Sequence, residues 1–340
     1  MRIRAVSSGL AALLLLFSAW AWGVQDPASA PAGEAYRVHV RLVLVDAQVV
    51  NRKTGQLISS LKQNDLQIYE DGVRQQITFF SQDELPLSVV LLFDLTDSVR
   101  PVLKPLAEGA VEALQHLKPQ DEVAVMVYSS SARVIQDFTT DRALAAGAID
   151  RASRMDSREA AFFNEAIFQA AGQLENSKQQ NGRRVIIWLT DDVPNIPSEE
   201  IKVRYGRSLY GPLHTEKEAL RELYRTGAVV CTLLKRSNIS EAEDSRRDSS
   251  KIISSMLYPP GEVYKYARAS GGLVLESSGK KLKARLAEMI DDIRLRYSLG
   301  YHPSAVRPKG KFCAIKVKLA PEVRKSQKNL VVEAKQGYYR

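Results

Sequence analysis

Two apolar runs, each closed by acidic and hydroxyl residues, constrain this chain more than anything else in it. Ser88-Val-Val-Leu-Leu-Phe-Asp94 leads into Leu95-Thr96-Asp97-Ser98, and Arg184-Val-Ile-Ile-Trp-Leu-Thr190-Asp191-Asp192 later repeats the pattern. An uninterrupted apolar run fits a strand covered on both faces, as in a parallel sheet lying between helices. Acids and hydroxyls that follow such strands gather at the carboxyl edge of the sheet, where doubly wound folds bind their ligands. Together they form a set of hard oxygen donors, the kind that Mg²⁺ prefers.

Between Leu87 and Arg296, strand-like and helix-like segments alternate, which predicts an α/β layered domain. Val99, Val102, Leu103, Leu106, Ala110, Leu114 and Leu117 make a helical stripe. Pro101 suits a first turn and Pro105 does not suit an interior, so the pattern predicts a long loop after Ser98 and a helix starting near Pro105. A central strand over 121–128 and a short antiparallel edge strand over 132–137 follow. Helices are predicted over 142–154, 162–175 and 216–226, a strand around Cys231, a last strand over 273–276, and a closing helix striped by Leu282, Leu286, Met289, Ile290 and Ile293.

Extended segments flank this domain. Val38, Val40, Leu42 and Leu44 run near period two, and Leu66–Tyr69 with Gln76–Phe80 frame Glu70-Asp-Gly72 as a hairpin. Residues 297–301, 311–319 and 329–334 are extended again. The fold expected is α/β, with a doubly wound, mostly parallel, Rossmann-like sheet flanked by a smaller β-rich unit from both chain ends. The corresponding divisions are a signal peptide over 1–23, a linker over 24–35, a β segment over 36–84, the α/β domain over 85–296, and a β segment over 297–340 that pairs with the first.

Met1-Arg-Ile-Arg4, the apolar stretch Leu10–Phe17 and the small residues around Ala19-Trp-Ala21 read as a secretory leader. An uncleaved anchor is the rival reading, since the apolar stretch approaches the length that spans a bilayer. The expected location is extracytoplasmic, periplasmic or secreted, with membrane contact only if the leader is retained. The 340 residues are 45% hydrophobic and 26% charged, as in ordinary globular proteins. A net charge of +9 admits anionic surfaces, but no aromatic-interleaved basic cluster or nucleic-acid motif appears, so no nucleic-acid partner is expected. The segment after Arg296 is basic, with only Glu322 and Glu333 opposing many Lys and Arg.

Two cysteines, Cys231 and Cys313, are too few for a disulfide framework or a thiolate metal site, and sequence leaves open whether they pair. The four histidines, His39, His116, His214 and His302, form no His-Glu-x-x-His motif. Gly279-Lys280-Lys281 lacks the upstream Gly and the following hydroxyl of a phosphate loop, and there is no Gly-x-Ser-x-Gly elbow. Catalysis is not expected.

At the two acid-tipped runs the chain resembles the von Willebrand factor type A domain. Asp94-x-Thr96-x-Ser98 is similar to the Asp-x-Ser-x-Ser loop of that family's metal-ion-dependent adhesion site, and Asp191 to the Asp after its later strand. The middle element departs: Ala160-Ala161-Phe162-Phe163-Asn164-Glu165-Ala166 stands where the family has Gly-Thr-x-x-Tyr-Asp-Ala, and Ala161 takes the Thr position without an oxygen. Leu66–Gly72, Tyr297–Tyr301 and Gly337-Tyr-Tyr339 resemble, more narrowly, the von Willebrand A-related proteins of acidobacteria.

The resemblance implies a protein-interaction or adhesion module with a degenerate Mg²⁺ site of Asp94, Thr96, Ser98 and Asp191. One coordination position would be left for an acidic residue of a protein partner. Asp97 and Asp192 are nearby carboxylates, and Glu159 or Asn164 are the residues that could replace the missing Thr oxygen. Two alternatives stand beside it. Asp94 and Ser98 could serve only as caps for the following helix. The protein could also be a metal-free structural or assembly component of the cell envelope, making its contacts through the basic terminal β unit.

Overall fold

Strands β5 (Leu87–Asp94) and β6 (Glu122–Tyr128) are buried at every position, and β8 (Arg183–Thr190) at all but one. They form the middle of a six-stranded sheet with β7 (Ala132–Thr139), β9 (Val229–Lys235) and β10 (Val274–Ser277), in the order β10-β9-β8-β5-β6-β7. Only β7 runs antiparallel to its neighbour. Helices α1 (Arg100–Ala113), α2 (Arg142–Ser153) and α6 (Leu282–Arg294) cover one face. Helices α3 (Phe163–Gln173), α4 (Glu216–Thr226) and α5 (Glu262–Ser270) cover the other.

The computed structural model describes residues 42–82, 85–157, 161–179, 181–191, 214–235, 262–277, 281–305 and 308–340, all within the unit Val40–Arg340. The readings of the leader and the linker lie outside them. No helix among the described residues is long and apolar enough to cross a membrane.

Local chemistry fixes the helix ends. Thr215 and Glu218 form a reciprocal capping box at the start of α4, and Gly227 ends it in the left-handed region at φ 71°. Helix α1 corrects the sequence expectation: it begins at Arg100 and contains Pro105. The missing N–H of Pro105 would have bonded within the first turn, and Leu103 and Leu106 still bury their side chains against the sheet and α6.

The remaining strands make two four-stranded sheets. One has the order β13-β1-β11-β4, from β13 (Leu330–Ala334), β1 (Val43–Asn51), β11 (Tyr297–Tyr301) and β4 (Ile77–Gln82). The other has the order β14-β12-β2-β3, from β14 (Gly337–Tyr339), β12 (Phe312–Leu319), β2 (Leu66–Glu70) and β3 (Val73–Gln75). Val45, Ile68, Leu299, Cys313 and Val317 lie in the apolar core of this β unit. Both chain ends contribute to each sheet, so the β-rich unit is built from the two flanks of the α/β domain. The hairpin differs from expectation: Asp71 and Gly72, both at positive φ, turn β2 into β3, and residues 77–82 cross to the other sheet beside β11. Cys231 and Cys313 are buried free thiols, one in each unit.

A buried polar joint ties the units at the amino ends of the parallel strands. Arg183, the first residue of β8, bonds Asp46 of β1 through Nε (3.0 Å), and bonds Ser298 Oγ (2.8 Å) and the Arg296 carbonyl (3.1 Å) through Nη2. Arg296 in turn donates to Gln48 Oε1 (2.6 Å) and to the Gly271 carbonyl. Gly271 sits at φ 73°, and an added Cβ would lie 2.3 Å from the Ala334 backbone, so the joint closes only around glycine.

Candidate functional site

The opposite end of the sheet carries the acid-tipped strands. Register sets Phe93 against Leu189 and Asp94 against Tyr128, so β5, β6 and β8 finish level with one another. Asp94 is fully buried there. Its Oδ1 accepts from Thr96 N (2.9 Å) and Thr96 Oγ1 (2.6 Å), and its Oδ2 from the Tyr128 hydroxyl (2.8 Å) and Thr190 Oγ1 (2.8 Å). Trp188 Nε1 donates to the Tyr128 hydroxyl (2.9 Å) and so orients it. Four donors on two carboxylate oxygens suit the ionised form, which only accepts.

No cation compensates that charge among the described residues. Burial, then the neighbouring Asp191, push the Asp94 carboxyl up to about 6 against the pull of the Thr96 and Tyr128 hydrogen bonds. Asp191 follows Thr190 at the end of β8, next to the end of β5, so both acids lie at one rim.

Polarity grades outward from this carboxylate. Thr96 is buried, its Oγ1 lies 3.2 Å from Ser98 Oγ, and Ser98 and Asp191 are half-buried. Asp97 is exposed and pairs with Arg100 (3.8 Å), and Asp192 lies outside the described residues. Asp94 bonds a backbone N–H inside its own loop and does not cap α1, whose N-cap residue, Val99, provides no side-chain bond.

In the loop ahead of α3, the residue at the Thr position turns into the core. Ala161 is fully buried in the apolar cluster with Phe163 and Trp188, and Phe162 N donates to Ser129 O (2.9 Å), tying this loop to the end of β6. Asn164 cannot take the place of the missing Thr, because its Oδ1 accepts from Tyr266 of α5 (2.5 Å). Glu165 is held by Gln169 (2.9 Å) and His214 (2.6 Å). Glu159 lies outside the described residues.

The donor set meets a simple test for Mg²⁺. Adjacent ligands of an octahedral ion with bonds near 2.1 Å stand about 3 Å apart, close to the Thr96–Ser98 hydroxyl spacing. Thr96 spends its proton on Asp94, which leaves its lone pairs for an ion. Two hydroxyls, with Asp94 behind and Asp191 beside them, therefore fit an ion that keeps several waters. Among the described residues there is no cluster of three or more His, Cys, Asp or Glu side chains that could hold a metal. Sequence reasoning missed Tyr128, although the signal was present: β6 is a third apolar run that ends on a hydroxyl at the same level.

The geometry is that of a doubly wound domain with an oxygen-lined carboxyl edge. Residues 89–193 match the family model of the von Willebrand factor type A domain. Among solved structures, the chain is similar to the conserved hypothetical protein BatB from Bacteroides thetaiotaomicron, at 14% identity and a TM-score of 0.42, covering 61% of this chain and 98% of that one. It is also similar to a von Willebrand factor type A protein from Catenulispora acidiphila, at 13% identity and a TM-score of 0.42, covering 77% of this chain and 72% of that one. No curated protein matches the chain in sequence.

Proposed function

We propose that this protein is an extracytoplasmic binding module that engages a protein partner through the carboxyl edge of its central sheet. The observation that carries the reading is the Thr96–Ser98 hydroxyl pair, 3.2 Å apart, in front of a buried carboxylate with no cationic neighbour among the described residues. In this reading Thr96 and Ser98 hold Mg²⁺ directly, while Asp94 orients Thr96 and Asp191 adds negative charge. A bound Mg²⁺ supplies a positive centre with exchangeable positions for a partner carboxylate. Ala161 makes the site weaker than one with a third hydroxyl. The role is recognition, and no catalytic step is assigned.

Thermal unfolding with Mg²⁺ and with chelator tests this. Ion at about a hundred times its dissociation constant adds about 3 kcal/mol of stability, which raises the midpoint by several degrees in the wild type. Thr96→Val combined with Ser98→Ala abolishes the rise. An identical midpoint with ion and with chelator in the wild type ends the metal part of the reading.

A further inference from the structure

The outer face of the sheet β14-β12-β2-β3 carries chemistry that the rim does not use. Alternation turns Ile68, Ile315 and Val317 into the sandwich and leaves Gln67, Tyr69, Arg74, Lys316 and Lys318 outside. Strand register aligns these in rows, Arg74 opposite Tyr69, Tyr69 opposite Lys316, and Gln67 opposite Lys318. Lys318 Nζ lies 4.3 Å from the Tyr69 ring centroid. No carboxylate takes an outward position on β2, β3 or β12; Glu70 is buried beneath, where Tyr301 and Tyr338 bond it.

One end of the face is covered, since Phe312 and Tyr339 pack on Tyr224 of α4 and Arg221 lies over Tyr339. The other end opens into a groove of about 550 Å³, walled by Gln63, Asn64, Gln67, Arg74 and Gln76. Tyr69 donates to Gln67 Oε1 (3.0 Å), which leaves the Gln67 N–H groups outward. The side chains of Asn64, Arg74, Gln76 and Lys316 hold no hydrogen bond or ion pair with another described residue.

Primary amides donate and accept at once, which matches the hydroxyls of sugars, whereas guanidinium and ammonium groups match carboxylates. A groove of several hundred Å³ is the size of a small-ligand site. Arg74 and Lys316 stand two strand spacings apart, roughly 10 Å between backbones, with Lys318 further along the same face, so the cations form an extended row suited to a polymer with repeated carboxylates. A neutral glycan would leave the cations idle, and an anionic membrane would meet the lysines and leave the groove amides to water.

We propose that this face binds an acidic polysaccharide, with its hydroxyls in the amide groove and its carboxylates on Arg74, Lys316 and Lys318. The site is independent of Asp94 and its partners, which lie on another sheet.

Titration of the full chain with polygalacturonate, dextran, phosphatidylglycerol vesicles and single-stranded DNA tests the assignment. Polygalacturonate is expected to bind and dextran not to. Lys316→Ala with Lys318→Ala should weaken binding about tenfold and flatten its salt dependence, as expected for lost charged contacts. Asn64→Ala with Gln76→Ala should weaken it about fivefold and leave the salt dependence unchanged, as expected for neutral hydrogen bonds. Arg74→Gln repeats the charge test at a single exposed site, and an unchanged melting curve shows that each variant is folded. Absence of polygalacturonate binding, equal binding of vesicles, DNA or dextran, or amide variants without effect would overturn the proposal.

Discussion

Asp46 and Asp94 stand at opposite ends of strand β8, and the protein treats their charges in opposite ways. Asp46 meets Arg183 and Ser298; burial raises its carboxyl, but Arg183, Arg296 and the Ser298 bond outweigh this and hold it below the usual carboxylate value. Among the described residues Asp94 meets neutral donors and a second acid, and is raised. At the joint the charge is matched by the protein itself, which makes a fixed coupling between two units. At the rim no described residue matches it, and a cation or cationic group is what would complete it. Buried polar groups thus lock one end of the sheet and leave the other chemically open.

Variants can break this comparison. The largest effect is expected at the joint. Arg183→Leu removes the cation bonded to Asp46 and the donors to the Ile293 and Arg296 carbonyls and to Ser298, so denaturant unfolding should show a loss of about 3–5 kcal/mol. A smaller loss there than for Asp94→Ala would reverse the assignment of the two ends.

The next effect is a pH dependence with a defined sign. A carboxyl whose folded pKa is raised from 3.8 to about 6 stabilises most below the lower value and loses that contribution as pH rises through the upper one. Relative to Asp94→Asn, the wild type should therefore lose about 3 kcal/mol as pH rises from below 4 to above 6. Asp46 acts in the opposite sense, its contribution being lost as pH falls through its depressed pKa. Mg²⁺ favours the ionised rim and should flatten the Asp94 decline, and a decline unaffected by the ion would count against the rim as a cation site.

The smallest effect sharpens the comparison by adding an oxygen. Ala161→Thr should tighten Mg²⁺ about tenfold, equivalent to about 1.4 kcal/mol, while overpacking the Phe163–Trp188 cluster costs about 1–3 kcal/mol. Calorimetric titration of Mg²⁺ and a denaturation curve read the two separately. Unchanged affinity would mean that the Ala161 loop does not face the ion.

Legibility in the sequence followed periodicity. The buried strands, the antiparallel edge at β7 and helix α4 could be read because unbroken apolar runs and hydrophobic period are local signals. The start of α1 could not, because the cost of Pro105 depends on packing that Leu103 and Leu106 gain elsewhere. The hairpin partner of β2 differs from expectation because Gln76–Phe80 carries the stronger apolar pattern, yet its strand pairs with β11, and the short polar β3 takes the place beside β2. Asp94, Thr96, Ser98 and Asp191 were visible as oxygens after strands, whereas Tyr128 as a ligand of Asp94 and Asn164 as a ligand of Tyr266 required the structure.

By itself the sequence determined the α/β layering, the β-rich flanks and the positions of the acids, since hydrophobic period and chain order are properties of the string. Only the tertiary structure decided which acid would be neutralised. That depends on distances between residues far apart in the chain: Arg183 reaches Asp46 across 137 positions at one end of β8, and at the other end Thr190 reaches Asp94 with a hydroxyl and no charge. Coulomb energy depends on separation in space and on burial, and neither is written in the order of residues.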